Sequence, residues 1–155
     1  MSDGQQVLIL GGGLAGLSFA IALATDAPSL DITLLEAHPF RSGTPNPMDT
    51  RGSALNLYSV ELLKHWDLWS ALASHTGAIG DIHVSHRGHF GSALMTAEEL
   101  DMPALGYVVE NHELGRALLV RAEQLGVTVR APVRCVSLEA GAEKPAVLTD
   151  EGERL

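Results

Sequence analysis

An α/β fold built on a parallel sheet follows from three observations. An apolar run at residues 5–10 passes through glycines into a stretch whose apolar residues recur at helical spacing. A second apolar run follows at residues 32–36, and residues 79–109 then break the rhythm with short strand-like pieces. Strand, helix and strand in this order form the unit that a right-handed crossover turns into parallel pairing.

Composition agrees with a folded chain. Of 155 residues, 46% are hydrophobic and 19% are charged, too apolar for a disordered segment. Ten basic residues face 19 acidic ones, a formal charge of −9 with no basic cluster in sequence, which argues against a nucleic-acid partner. Cys135 is the one cysteine, so no internal disulfide forms and a reducing compartment is the default.

The elements are justified in order. Leu14, Leu17, Ile21 and Ala24 share one helical face, and Pro28 and Ser29 mark the stop. The apolar residues 7–24 carry no positive charge ahead of them and hold four glycines in six positions, unlike a signal peptide or membrane anchor. Residues 38–50, with three prolines, form a loop. From Ser59, Val60, Leu63 and Trp66 repeat helically, and Trp69, Leu72 and Ala73 continue after a bend expected at Asp67. Trp66 and Trp69 are packing residues.

Residues 82–85 and 106–109 read as strands of an antiparallel region, with a solvated acidic stretch from Glu98 to Asp101. Asn111 is expected to cap a helix through Leu114, Leu118 and Leu125 that stops at Gly126. Strands are expected at 127–130, 133–138 and 146–149, then a turn at Asp150–Gly152 and the opening of a further strand. This division gives residues 1–78 and 110–155 to one domain, incomplete at its end, and 79–109 to an excursion into a second. The 98–109 piece lacks a sheet to join, and a three-stranded parallel sheet leaves an open edge, so a fragment of a larger enzyme is expected.

Gly11, Gly13 and Gly16 make the spacing G-x-G-x-x-G between strand and helix, a Rossmann-like arrangement. Gly11 permits the tight turn, Gly13 lets the backbone approach a diphosphate, and Gly16 lets helix and sheet pack closely. The diphosphate then meets N–H groups at the helix start, among them those of Leu14 and Ala15. Glu36, 20 residues after Gly16, is placed to accept hydrogen bonds from an adenosine ribose, and its charge opposes a 2′-phosphate. A Walker loop is excluded by the missing Gly-Lys-Ser/Thr end. Arg51 offers a fork of donors for phosphate or ribose oxygens, or else is an exposed loop charge or a salt bridge with Asp49.

The stretches VLILGGGLAG (7–16), ITLLE (32–36), DTRGSAL (49–55), VSHRGHFG (84–91) and LGYVVEN (105–111) resemble the flavoprotein aromatic hydroxylases, in particular the 2-polyprenyl-6-methoxyphenol hydroxylase type of the ubiquinone pathway. The resemblance implies a Rossmann-like FAD-binding domain interrupted by the beginning of a mixed or antiparallel substrate domain. It implies FAD as cofactor, held by Gly11, Gly13, Leu14, Ala15, Gly16, Glu36, Arg51, Asn111 and Arg116. It also implies NAD(P)H as reductant, and O2 and a polyprenylated phenol as substrates, through a C4a-hydroperoxyflavin. No catalytic residue falls within this chain, which is not expected to act alone.

The implied setting is cytoplasmic, with a peripheral encounter with the inner membrane or a biosynthetic complex. An NAD-dependent oxidoreductase and a non-catalytic nucleotide-binding or interaction domain are the alternatives. His83, His86 and His89 recur every third residue without a zinc pattern and imply no metal. Cys135 is expected to be a small buried strand residue, not a nucleophile.

Overall fold

The computed structural model describes residues 5–40, 51–88, 90–139 and 145–155. In chain order these form β1 (Gln6–Leu10), α1 (Leu14–Asp26), β2 (Asp31–Leu35), β3 (Gly52–Asn56), α2 (Leu57–His65), α3 (Trp69–Leu72), β4 (Thr76–Ile79) and β5 (Asp81–Ser85). There follow β6 (Ser92–Thr96), β7 (Gly106–Glu110), α4 (Asn111–Gln124), β8 (Thr128–Arg130), β9 (Cys135–Glu139) and β10 (Ala146–Thr149). The chain divides into two compact units, Met1–Pro45 with Leu118–Leu155, and Asn46–Ala117.

The first unit holds the parallel sheet, in the order β1-β2-β8. Val7 lies opposite Ile32 and Leu10 opposite Leu35, and Leu34 opposite Val129. Helix α1 packs on β1 and β2. Its Leu17, Ala20, Ile21 and Ala24 are buried, as the spacing of apolar residues requires. Burying side chains such as Leu17, Ile21 and Leu34 stabilises this unit by about 1.5–3 kcal/mol each. Helix α4 ends as expected: Gly126 takes the left-handed conformation at φ 84°, and the Val127 N–H donates to the Ala122 carbonyl at 3.0 Å.

Beside this sheet in sequence, β9 and β10 pair antiparallel. After the turn at Asp150–Gly152, Val147 and Leu155 exchange backbone hydrogen bonds at 2.8 and 2.9 Å, so the expected further strand begins as a short bridge. Cys135 is only half-buried, and Val136 and Leu138 are exposed. The expectation of a buried Cys135 thus fails, because the apolar run of β9 pairs with β10 alone among the described strands.

In the second unit β7 is the centre of an antiparallel sheet, β3-β7-β4. This corrects the expectation that the 98–109 piece lacks a sheet: residues 106–109 pair on both sides. Gly106 is required there, since a Cβ would lie 2.5 Å from the Leu55 carbonyl oxygen. Asp67 adopts φ 57° between α2 and α3, which is the expected bend. Trp66 is buried, and the rings of Trp69 and Tyr107 meet edge to face at 5.0 Å. Strands β5 and β6 form an antiparallel hairpin, and Glu98–Asp101 is exposed. Asn111 is not a residue ahead of the helix; it is the first residue of α4.

Among the described residues no helix is long and apolar enough to cross a membrane.

Candidate functional site

The turn between β1 and α1 is built by its glycines. Gly11 has φ 107°, a conformation that side chains resist, and its N–H donates to the Leu35 carbonyl at 2.8 Å, which ties the turn to β2. Gly16 is packed so closely that a Cβ would lie 1.9 Å from the Gly11 carbonyl oxygen. Gly13 precedes α1 in extended geometry with open space where a Cβ would stand. No side chain caps the helix and no acidic residue occupies its first turn. The first N–H groups of α1, which include those of Leu14, Ala15 and Gly16, have no intrahelical acceptor, and the helix dipole makes this end receptive to an anion.

Glu36 follows β2 and is brought directly to this turn. Its Oε2 accepts the Gly12 N–H at 2.7 Å, and its Oε1 accepts the His38 N–H at 2.9 Å. The His38 Nδ1 lies 3.3 Å from the same Oε1. Burial raises the pKa of the carboxyl, but the hydrogen bonds from Gly12 and His38 and the His38 charge outweigh it, and the net displacement is downward from 4.5. The group is therefore an anionic acceptor beside the anion-receptive helix end.

Three residues that the sequence reading did not single out complete this corner. Gly12 is buried, and a Cβ there would approach the Phe40 ring at 2.6 Å, the Glu36 Cβ at 2.9 Å and a Leu34 methyl at 3.2 Å. The third consecutive glycine was the single trace of this crowding in sequence. His38 and Phe40 left no trace, because their roles depend on the chain after β2 returning to Gly12.

The remaining expected residues lie in the second unit. The Asn111 N–H donates to the Arg51 carbonyl at 3.0 Å, and the Ser53 hydroxyl donates to Asn111 Oδ1 at 2.7 Å, so β3 and the start of α4 hold Arg51 and Asn111 together. Arg51 is exposed. Arg116 donates through Nε and Nη2 to Glu113 Oε2 at 3.0 and 2.8 Å. This hydrogen bonding, with the attraction of Arg116, His75 and His112, draws the Glu113 carboxyl below its usual range against a smaller effect of burial. The His112 Nε2 lies 3.3 Å from Glu110 Oε2 and 3.4 Å from Glu113 Oε1. Asp49, the alternative partner considered for Arg51, and His89 of the histidine series lie outside the described residues.

Together the glycine turn, the uncapped helix and the Glu36 carboxylate can receive a diphosphate joined to a ribose. The cradle fits a dinucleotide: space is open at Gly13, and Gly16 brings the helix against the strand.

A family model described as "FAD binding domain" matches residues 4–154. The ubiquinone hydroxylase UbiL of Rhodospirillum rubrum is 31% identical over 153 residues, 95% of this chain and 34% of that protein. The 3-demethoxyubiquinol 3-hydroxylase of Escherichia coli is 33% identical over 138 residues, 86% of this chain and 34% of that protein. The chain thus spans about a third of the length of these relatives. Among solved structures, the Diels-Alderase PyrE3 matches with a TM-score of 0.73 at 27% identity, over 97% of this chain and 30% of its own. CtdE, solved with FAD and a substrate, shares the fold with a TM-score of 0.72 at 19% identity, over 97% of this chain and 35% of its own.

Proposed function

The chain belongs to the FAD binding domain family, and from this we propose that its first unit holds the adenosine and diphosphate of FAD in a flavin-dependent monooxygenase that hydroxylates a polyprenylated phenol in ubiquinone biosynthesis. The observation that carries the nucleotide assignment is the Gly12 N–H to Glu36 bond at 2.7 Å, which fixes the acidic side chain beside the open helix start. The names of the relatives from Rhodospirillum rubrum and Escherichia coli support the substrate class and the pathway.

Gly11, Gly13 and Gly16 shape the turn, and the N–H groups of Leu14, Ala15 and Gly16 neutralise diphosphate charge. Glu36 accepts from the ribose and opposes a 2′-phosphate. Arg51 is proposed for the diphosphate and ribityl side, with Asn111 beside it through their shared backbone bond. Arg116 is proposed as an auxiliary contact that exchanges its hold on Glu113 for the cofactor. When bound, FAD accepts hydride from NAD(P)H and activates O2 for transfer of one oxygen atom to the electron-rich ring. The protein's part is to place the cofactor and substrate and to keep water out.

Residues 79–109 are proposed to begin the substrate domain, within the larger FAD-binding domain formed by 1–78 and 110–155. A cytoplasmic protein meeting the membrane at its periphery suits a substrate with a long apolar tail. Flavin absorbance of the purified full-length protein, and hydroxylated product per NAD(P)H oxidised, test the assignment. Stoichiometric flavin and coupled turnover are expected; retention of NAD without flavin would replace it with a nicotinamide-dependent oxidoreductase.

A further inference from the structure

The turn after β2 contains a side chain with no part in the glycine fingerprint. A carboxylate accepts hydrogen bonds at four lone-pair positions, two on each oxygen. On Glu36 Oε1 both positions are met by His38, one by its backbone N–H at 2.9 Å and one by its ring Nδ1 at 3.3 Å. A carboxylate has no proton to give, so the ring satisfies this contact with its proton on Nδ1. On Oε2 one position is met by the Gly12 N–H. Among the described residues this leaves one lone pair of Oε2 for an incoming hydroxyl, on the oxygen bonded to the glycine turn.

We propose that His38 is a positioning residue for the adenosine end of the nucleotide: by saturating Glu36 Oε1 it assigns the ribose contact to Oε2, next to the turn that receives the diphosphate. The proposal rests on the flavin reading above. Three features of the corner support it. The His38 side chain is 76% exposed, so its ring is held beside Glu36 by the hydrogen bond and not by packing. Phe40 closes on Gly12 from the same segment, so residues 36–40 return to the turn at both ends. The Val133 N–H donates to the Glu36 carbonyl at 2.7 Å and the Glu36 N–H to the Arg130 carbonyl at 3.0 Å, so the Glu36 backbone is fixed and the side-chain torsions are what His38 restrains.

The experiment is FAD titration of the full-length apoprotein, followed by flavin fluorescence, for His38→Ala, His38→Asn, His38→Gln, Glu36→Gln and Glu36→Gln/His38→Ala. An exposed hydrogen bond to a charged group predicts about two- to five-fold weaker binding for His38→Ala. Asparagine puts its amide near the position of Nδ1 and is expected to restore the affinity, whereas glutamine, whose amide reaches further, is not. In the Glu36→Gln background His38→Ala is expected to add nothing, since it acts through that carboxylate. Wild-type affinity for His38→Ala, no rescue by asparagine, or an equal loss in both backgrounds overturns the role of His38. Wild-type affinity for Glu36→Gln overturns the ribose assignment itself, so the two failures are distinguishable. The ring is exposed and lies outside the core, and circular dichroism of each variant checks the fold.

Discussion

Gly16 stands against the carbonyl oxygen of Gly11, with 1.9 Å separating that oxygen from where a Gly16 Cβ would be. The contact is to backbone, so no side-chain rotation relieves it. It sets how closely α1 approaches the end of β1, and hence where the helix's free N–H groups stand.

Gly16→Ala is therefore expected to lower folding stability by at least the 1–3 kcal/mol typical of overpacking, and to abolish FAD retention. Gly13→Ala makes the contrast. Among the described residues its methyl meets nothing within 4 Å, and its φ of −73° suits alanine, so its stability cost is expected to stay within about 1 kcal/mol. Its methyl would nevertheless occupy the space open to a diphosphate. Thermal unfolding and bound flavin, measured on both variants, separate packing from binding.

Glu36 predicts an acid-sensitive component of stability. Its folded-state pKa lies below the ordinary 4.5, because the Gly12 and His38 hydrogen bonds overcome the opposing effect of burial. The carboxylate's contribution is present in full above 4.5 and is lost as pH falls through the lowered folded value. Glu36→Gln should accordingly be less stable than the parent at pH 7, with the difference shrinking below pH 4.5. Urea unfolding at the two pH values reads this directly; a difference independent of pH would count against the ionised carboxylate as its source.

The parts of this design that were legible in sequence are those set by local pattern. The strand, turn and helix at 6–26 follow from periodicity and from glycines at an element boundary, and Gly126 marks a helix stop for the same local reason. Strands β3, β4 and β6 were not read. They are four or five residues long and rich in small residues, and β3 and β4 are defined by partners distant in sequence: Gly52 pairs with Glu110, and Thr76 with Val109, whereas β6 pairs with the adjacent β5 but carries no alternating apolar pattern. The Glu36 end of the site was legible because strand length fixes its position. The Gly12, His38 and Phe40 contacts were not, because they form only when the chain after β2 folds back on the turn.

Arg116 offers a separation of cofactor binding from folding. Its pair with Glu113 spans i to i+3 on a helix and leaves the Arg116 side chain 60% exposed, a setting in which ion pairs contribute about 0.3–0.5 kcal/mol. Arg116→Ala should hardly change the unfolding midpoint. If Arg116 also contacts FAD, titration will show a loss of affinity well beyond that figure; unchanged affinity would confine it to the helix surface.

Arg51 is held through its main chain. Its carbonyl accepts the Asn111 N–H, and the hydroxyl of Ser53, two residues on in β3, donates to the Asn111 side chain. Replacing the Arg51 side chain leaves both of these bonds intact. A guanidinium that binds phosphate or ribose oxygens does so through a planar fork that an ammonium does not reproduce. Arg51→Ala is thus expected to weaken FAD retention and to lower the ratio of hydroxylated product to oxidised NAD(P)H in the full-length protein. Arg51→Lys should recover only part of both. If alanine leaves retention and coupling at parental values, Arg51 has no place in the cofactor site; if lysine recovers both fully, its contribution is charge alone and not the geometry of the fork.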